Sequence, residues 1–249
     1  IYRQSENSYI PMLAKDIKNV NVNDDYLDKK DDYNFISCDS KDIKNVLVQI
    51  VEKMQDKKID LSNLQVLAPM YKGENGIDNL NIVLQELINP KDKKKDEIKV
   101  GPITYRVGDK ILNLVNDIDN NIYNGDIGYI KSIDINSKKE PIVVEYDNNE
   151  VGYKRENFNQ ITHAYAISIH KSQGSEFMHV IMPITKGYSR MLYNKLLYTG
   201  VSRAKKSLVL LGDKDAFIKC VNNSYSLVRK TNLKVKIMNN LKINTQNNK

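Results

Sequence analysis

The chain has 249 residues, of which 41% are hydrophobic, enough for one large domain or a medium domain carrying a smaller one, and too many for wholesale disorder. Its 38 basic and 31 acidic residues give a formal charge of +7, which favours polyanionic partners but equally fits the Lys-rich and Asn-rich composition of an AT-rich genome. The apolar runs are too short for a membrane span. The two cysteines and three histidines do not have metal-ligand spacing, so we predict no metal site. Two cysteines far apart in the sequence also favour a reduced, cytoplasmic setting.

The first hundred residues alternate between helical and strand-like patterns. Apolar residues recur at helical spacing at Ile10, Leu13, Ala14 and Ile17, whereas YNFISC and LQVLAP are short apolar runs typical of buried strands. The predicted helices cover 5–20, 39–55 and 77–88, and the predicted strands cover 33–38 and 64–69. A strand followed by a helix, twice over, predicts a parallel sheet covered by helices.

A different pattern follows the Lys-rich segment KDKKKDE (91–97), which we interpret as a solvated loop. Short β-like pieces alternate there with the turn-forming sequences NDIDNN, NGD, NSKK and DNN. The predicted strands are 110–115, 126–134, 141–147 and 151–155. Several short strands without a helix between them predict a small barrel-like module of the SH3 type.

The α/β alternation resumes after this module. Strands are predicted at 163–170, 179–184 and 207–212, with a helical stretch at 189–204 and a short helix at 213–220. We therefore expect an α/β fold, a parallel sheet flanked by helices, that is split in sequence by the all-β module. The larger domain is predicted to comprise 1–98 and 156–235, the module 99–155, and a polar tail 236–249.

The segment SIHKSQGSEF (168–177) lies between two predicted strands and has the densest polar chemistry. At the carboxyl end of a strand, backbone N–H groups and short polar side chains can bind phosphates or sugars. Gly174 permits close backbone approach, Glu176 is an acceptor suited to a ribose hydroxyl, and His170 and Lys171 could reach a nucleic-acid backbone. Composition alone favours a simpler interpretation, a polar turn with one incidental histidine.

Three strings resemble helicase motifs. HKSQGSEF resembles motif V of superfamily 1 DNA helicases in its RecD-like form, LLYTGVSRAKKSLVLLG (196–212) resembles motif VI, and the opening IYRQ resembles motif IV. The segments 64–90 and 105–130 are also similar to RecD-like sequences of the exodeoxyribonuclease V alpha-subunit type. The resemblance covers roughly residues 1–233. It implies the second RecA-like motor domain of a P-loop NTPase, with an inserted SH3-like module.

The resemblance also implies a nucleotide site. A guanidinium supplied from the opposite domain stabilises the charge that spreads over a transferred phosphoryl group. Arg203 is the candidate for this arginine finger, and Arg3 for a second γ-phosphate contact. The alternative for Arg203 is an arginine at a helix end that pairs with Asp213 or with a carbonyl. The other implied nucleotide-binding residues are Tyr2, whose ring would face adenine, Gly174 and Glu176. The implied cofactors are ATP and Mg²⁺.

Contacts with single-stranded DNA are implied for residues after two of the predicted strands. They are Ser168, His170, Lys171, Met70, Tyr71 and Lys72. Tyr71 could stack on a base, a contact that tolerates any sequence, although an ordinary β–α loop with a solvent-facing tyrosine is equally plausible. In relatives the inserted module lies along the strand, which makes Lys110 and Lys131 weaker candidates. We interpret NGD (124–126) as a structural turn.

Some parts of a complete ATP site are missing from this sequence. It contains no G-x-x-x-x-G-K-[ST] loop and no acidic Walker B strand, which hold the phosphates and Mg²⁺ in such motors. The chain also opens without an initiator Met or a signal-like segment, so we expect a piece of a longer protein. We predict that it hydrolyses no ATP alone. The implied partners are an N-terminal RecA-like domain, single-stranded DNA and, as candidates, RecB- and RecC-type subunits.

The leading hypothesis is the C-terminal part of an ATP-dependent 5′→3′ DNA helicase that acts in repair or recombination, the direction resting on resemblance alone. One alternative is the helicase portion of a conjugative relaxase, which shares motifs V and VI. Another is a nucleic-acid-binding module without catalytic activity. The motif VI-like arginine argues against that module, because an arginine finger has no purpose without an ATP site.

Overall fold

The computed structural model describes residues 8–137, 139–147, 149–188 and 191–223. Tyr2, Arg3 and the predicted tail 236–249 lie outside these ranges. The helices are α1 (Tyr9–Asn19), α2 (Ile43–Asp56), α3 (Ile77–Ile88), α4 (Asn194–Val201) and α5 (Lys214–Asn222). The strands are β1 (Tyr33–Ser37), β2 (Leu64–Ala68), β3 (Glu97–Val100), β4 (Ile103–Arg106), β5 (Lys110–Asn113), β6 (Ile127–Ile133), β7 (Ile142–Tyr146), β8 (Asn149–Tyr153), β9 (Ile161–His163), β10 (Ala166–Ser168), β11 (Phe177–Ile184) and β12 (Ala204–Gly212).

A five-stranded parallel sheet forms the larger unit, in the order β1-β12-β11-β2-β10. Every residue of β2 is buried, as expected for a strand whose two faces are both covered. One core packs α1, α4 and α5 against one face, with Leu13, Leu197 and Phe217 at its centre. A second core packs α2 and α3 against the other face, with Leu47 and Leu80. The predicted parallel sheet flanked by helices is confirmed.

Helix α3 shows how the local sequence determines where an element begins and which face it buries. Ile77, Leu80 and Leu84 recur at helical spacing, and all three are buried against the sheet. Gly76 precedes the helix, and a Cβ atom there would lie 2.4 Å from the backbone oxygen of Tyr71. The loop between β2 and α3 therefore folds tightly onto the start of the helix, and this close contact requires glycine.

The second unit is an antiparallel sheet in the order β8-β7-β6-β5-β9, accompanied by the β3-β4 hairpin. Alternating residues of these strands fill a separate core, in which Ile111, Ile142 and Val144 are fully buried. The hydroxyls of Tyr146 and Tyr153 lie 2.7 Å apart inside it, so each buried phenol has a polar partner. The predicted all-β module is thus a compact antiparallel unit with its own core.

The chain between 161 and 170 differs from the single strand that we predicted at 163–170. It forms two strands, β9 in the antiparallel sheet and β10 in the parallel sheet, with Ala164 and Tyr165 between them. The Ala164 N–H donates to the Lys110 carbonyl, whereas the Tyr165 carbonyl accepts from Val66 N–H. The sequence does not reveal this change of sheet, because both sheets bury their residues and the stretch 163–170 therefore reads as one apolar strand.

The start of the antiparallel unit also differs from our prediction. Residues 91–97 were predicted as a loop, but Glu97 already pairs with Arg106 in the β3-β4 hairpin. Gly101 occupies the turn with φ of +58°, a conformation that favours glycine. The charged residues at the start of β3 concealed the strand, since they lie on an exposed edge.

A buried carboxylate joins the two units. Asp109 has 0% exposure, and both of its oxygens accept hydrogen bonds. The donors are Gln85 Nε2 (2.6 Å), Asn89 Nδ2 (2.7 Å), the Arg106 backbone N–H (2.7 Å), Tyr165 Oη (2.9 Å) and His163 Nε2 (3.1 Å). Burial by itself raises the pKa of Asp109, but the hydrogen bonds, led by the one from His163, outweigh burial and lower this pKa below its usual value. The antiparallel unit is therefore bonded to α3 and to the segment that precedes β10.

Lys110 lies at the same junction and is only 4% exposed. Its Nζ donates to the carbonyls of Ser62 (3.0 Å) and Leu64 (2.9 Å), and burial lowers the pKa of the ammonium to about 8. The suggestion that Lys110 contacts a nucleic-acid strand is wrong, because these contacts hold the side chain inside. Lys131 is exposed and forms an ion pair with Glu150.

Candidate nucleic-acid interface

A cleft of about 780 Å³ opens where β2 and β10 end. These strands are neighbours in the parallel sheet, so their carboxyl ends meet at one edge. All six residues predicted to contact a strand line this cleft, together with Pro69, Asn124, Gln173 and Met191. The structure therefore brings together two groups of residues that lie about 100 positions apart in the sequence.

The loop after β2 supplies an aromatic ring and a cation. Tyr71 is 47% exposed, so its ring is available to a ligand in the cleft. The loop's conformation is fixed by Ile77 N–H donating to the Met70 carbonyl and Asp78 N–H donating to the Tyr71 carbonyl. Lys72 Nζ lies 2.7 Å from Asp78 Oδ2, but both side chains are well exposed and the pair is screened by water. This loop thus presents chemistry suited to stacking and to phosphate contact.

The loop after β10 supplies the other side of the cleft. His170 is exposed and Lys171 is half-buried. Ser168 is only 5% exposed, and its hydroxyl accepts a hydrogen bond from Lys171 N–H at 3.2 Å. Ser168 therefore shapes the turn that carries His170 and Lys171, and its hydroxyl already has a partner within the protein.

Asn124 reaches the same cleft from the antiparallel unit. Lys171 Nζ donates to Asn124 Oδ1, which links the two units across the cleft. We interpreted NGD as a structural turn, and Gly125 does have a left-handed φ of +107°. The sequence did not show that this turn also lines the cleft, since the contact with Lys171 spans 47 residues. Gln173, in the loop after β10, and Met191 also line the cleft and were not predicted.

Arg203 contacts the C-terminal end of the loop that carries Lys171. It is half-buried, and its Nη1 donates to the Ser175 carbonyl at 3.1 Å, so the guanidinium lies beside Gly174 and Glu176. Nε and Nη2 donate to the Thr199 carbonyl and to Ser202 Oγ, each at 3.1 Å. A guanidinium has five N–H groups, so these bonds to described residues leave donors for a phosphate.

The alternative for Arg203 was an arginine at a helix end that pairs with Asp213 or with a carbonyl, and its observed acceptors do include the carbonyls of Thr199 and Ser175. Among the described residues Asp213 instead accepts from Lys186 (3.1 Å) and from the Ala216 N–H at the start of α5. Glu176 forms an ion pair with Lys205 at 3.0 Å. Gly174 has a left-handed φ of +90° with open space around its missing Cβ, so backbone conformation, and not crowding, requires glycine there.

The described residues contain no group of three or more His, Cys, Asp or Glu side chains placed to hold a metal ion. In the same part of the chain, no helix combines the length and apolar character needed to cross a membrane.

Comparisons with known proteins agree with the two-unit architecture. Residues 80–146 match the model of the ATP-dependent RecD-like DNA helicase SH3 domain, and residues 163–211 match the model of the UvrD-like helicase C-terminal domain. Both models describe helicase domains, and the first is specific to RecD-like helicases, so the chain is similar to RecD-like helicases over these two segments. We call its antiparallel unit the SH3-like module, after the first of these models.

Individual relatives of this chain cover it in part. The ATP-dependent RecD2 DNA helicase of Deinococcus radiodurans is 30% identical over 62% of the chain, and the RecBCD enzyme subunit RecD of Buchnera aphidicola from Acyrthosiphon pisum is 30% identical over 72%. The chain spans only 21% and 28% of these relatives' lengths. The Pif1 helicase structure from Candida albicans has the same fold, with a TM-score of 0.50 at 15% identity, over 88% of this chain and 57% of that one.

Proposed function

We propose that this chain is the second motor domain and SH3-like module of an ATP-dependent DNA helicase. One observation supports this most directly. The loop 169–176 contributes His170 and Lys171 to the cleft, and its Ser175 carbonyl accepts a hydrogen bond from Arg203 Nη1. A single loop therefore contacts both the proposed strand site and the proposed nucleotide site, which is the connection that a translocating motor needs.

Arg203 is proposed as the arginine finger of this motor. Charge accumulates on the oxygens of a transferred phosphoryl group, and an arginine can donate two hydrogen bonds to them in a fixed geometry. ATP and Mg²⁺ would be held mainly by a P-loop domain that faces this one. Arg3 and Tyr2 complete the proposed nucleotide contacts, with Gly174 and Glu176 at the mouth of the same site. Closure of the two domains on ATP would then bring Arg203 to the phosphate.

The cleft is proposed to bind single-stranded DNA. Tyr71 offers a face for base stacking, and Met70, Lys72, Ser168, His170 and Lys171 are the remaining proposed contacts. Stacking is indifferent to base identity, as a motor that moves along any sequence requires. The sequence predicted 1–98 with 156–235 for the motor domain and 99–155 for the module. Because the β3-β4 hairpin begins at Glu97 and β9 (Ile161–His163) pairs in the antiparallel sheet, we propose 97–163 for the module and the flanking segments for the motor domain.

The wider role is proposed from the relatives alone. We propose 5′→3′ unwinding in repair or recombination, inside the cytoplasm. The Buchnera relative is named as a subunit of the RecBCD enzyme. RecB- and RecC-type subunits are accordingly candidate partners of this chain.

The strand site is tested by fluorescence anisotropy with a labelled oligo-dT. We expect Lys171→Ala to reduce the salt dependence of binding by about 0.7 in the log–log slope, the value for one phosphate contact on a single strand. Tyr71→Ala should weaken binding by roughly fivefold to a hundredfold through lost stacking. Lys53→Ala removes the same charge from exposed α2 and is the matched control. Equal effects at Lys171 and Lys53 would reject the cleft as the strand site.

A second experiment, in which ATP is added, distinguishes a motor domain from a simple binding module. The chain alone should show no ATP turnover. Joined to a P-loop motor domain of the same family, it should bind the oligonucleotide with an affinity that changes between nucleotide-free and ATP-bound states. Binding that ignores both the added domain and ATP would instead favour a nucleic-acid-binding module without catalytic activity.

A further inference from the structure

Asn124 lines the cleft, although the sequence indicated only a structural turn at this position and the comparisons assign it no contact. It belongs to the SH3-like module, whereas Lys171, its partner across the cleft, belongs to the motor domain. Its Oδ1 accepts from Lys171 Nζ, and both side chains line the cleft. The ammonium of Lys171 is thus held between the two units and not on the motor domain alone.

The turn that carries Asn124 is held in place by its own contacts. The Asn124 N–H donates to Asn116 Oδ1 at 2.8 Å, and Gly125 N–H donates to the Asn113 carbonyl at 2.9 Å. Asn113 is fully buried, and its Nδ2 donates to the Val115 and Tyr123 carbonyls. These bonds fix the backbone of the turn and leave the exposed Asn124 side chain directed towards Lys171.

We propose that Asn124 and Lys171 form one phosphate clamp that spans the motor domain and the SH3-like module. This inference rests on the proposed strand site. A phosphate oxygen is charged and is a stronger acceptor for an ammonium than a neutral amide oxygen. A strand in the cleft therefore takes over Lys171 Nζ as a donor, and the amide of Asn124, released from that contact, turns its Nδ2–H towards the same phosphate. The strand passes between the two units, and each unit contributes one donor.

The clamp makes a specific prediction about charge. Lys171 supplies the counterion effect and Asn124 supplies only a neutral hydrogen bond, so the two residues affect different quantities. Asn124→Ala should weaken oligo-dT binding by about threefold to tenfold and leave the salt dependence unchanged. Asn124→Asp places a carboxylate beside Lys171, pairs with its ammonium and should reduce both affinity and salt dependence. Asn136→Asp adds the same charge at an exposed turn of the module and serves as the control.

A double-mutant cycle tests whether the two residues act together. If they share a phosphate, adding Asn124→Ala to Lys171→Ala should weaken binding much less than Asn124→Ala does alone. Asn124 is exposed and its φ is not left-handed, so alanine fits the turn; unchanged melting temperatures would check this. Fully additive effects, or tighter binding by Asn124→Ala, would overturn the clamp. If the unaltered chain binds no oligonucleotide, the proposed strand site itself fails, and this outcome is distinct from the failure of the clamp alone.

Discussion

Arg203 is the residue on which the proposed nucleotide site depends most. In the structure its guanidinium donates to two carbonyls and one hydroxyl of its own domain, so it is oriented but not neutralised by a carboxylate among these partners. A side chain held in this way can exchange a carbonyl for a phosphate oxygen without first breaking an ion pair. This is the arrangement expected of a residue that acts only when the domains close.

Replacing Arg203 should therefore affect turnover more than binding. In a protein that joins this chain to a P-loop motor domain of the family, Arg203→Ala should lower kcat for DNA-stimulated ATP hydrolysis by roughly 10³-fold or more, with a much smaller change in KM. Steady-state phosphate release measures this change. Arg155→Ala, an exposed arginine of the SH3-like module, is the control. Turnover by Arg203→Ala that matches this control would remove Arg203 from the nucleotide site.

Lys110 makes a pH-dependent contribution to stability. Burial lowers the pKa of its ammonium to about 8, whereas an unfolded lysine titrates near 10.4. Between these values the unfolded state binds more protons, so the contribution of Lys110 to the free energy of unfolding rises with pH from about 8 to about 10.4. Below pH 8 both states are protonated and the contribution is constant.

Comparison with Lys110→Met isolates this effect from the tyrosines that titrate in the same range. Urea unfolding at several pH values should show that the free energy of unfolding of the unaltered chain, relative to that of the variant, increases between pH 8 and 10.4 by roughly 3 kcal/mol. Lys53→Met, on the surface of α2, should show no such trend. A constant difference between the unaltered chain and Lys110→Met would mean that the ammonium keeps an ordinary pKa.

At the scale of elements, the site depends on the tight start of α3. Gly76→Ala would place a Cβ within 2.6 Å of backbone atoms of Tyr71 and Lys72, so the loop that presents these residues must move. We expect the free energy of unfolding to fall by about 1–3 kcal/mol and oligo-dT affinity to fall with it. Gly187→Ala, whose added methyl group would lie 3.4 Å from the side-chain oxygen of Thr185, should have a smaller effect on both. Equal effects of the two substitutions would show that the loop accommodates the methyl group.

The sequence predicted these elements unevenly, for identifiable reasons. Helix α3 was predicted within its observed bounds, 77–88, because its apolar spacing, its preceding glycine and its burial all agree. The exchange of sheets at Ala164 and Tyr165 was not predicted, because both strands bury the same kind of side chain. A local pattern carries information on burial but not on which sheet is the partner.

The candidate site shows the same limit. The candidate residues after β10 were predicted through their resemblance to motif V, and residues 70–72 through their position after a predicted strand. The parallel pairing of β2 and β10 places the two groups together. Asn124 was predicted only as part of a turn, since nothing near it in sequence indicates Lys171. The turn chemistry is local, whereas the contact across the cleft depends on how the SH3-like module sits on the motor domain.

At the scale of the whole molecule, the hydrogen bonds of Asp109 hold the SH3-like module against the motor domain. Donors from α3, from the segment between β9 and β10 and from the module converge on its carboxylate. Because the module also carries Asn124, the geometry of the cleft depends on the Asp109 carboxylate as well. A buried carboxylate with this many partners is costly to alter, since each donor would lose its acceptor.

Asp109→Asn keeps the size of the side chain but removes its charge and replaces one acceptor oxygen by a donor, which then opposes donors already present. We expect the free energy of unfolding to fall by about 3–5 kcal/mol. Hydrogen exchange should rise at the amides of β5, β9 and the loop before β10, while the core of the parallel sheet stays protected. Asp119→Asn, at an exposed turn of the same module, is the control. Loss of protection confined to this junction, with weaker oligo-dT binding, would establish that Asp109 positions the module over the cleft. Uniform loss of protection across both sheets would show instead that Asp109 supports the whole fold.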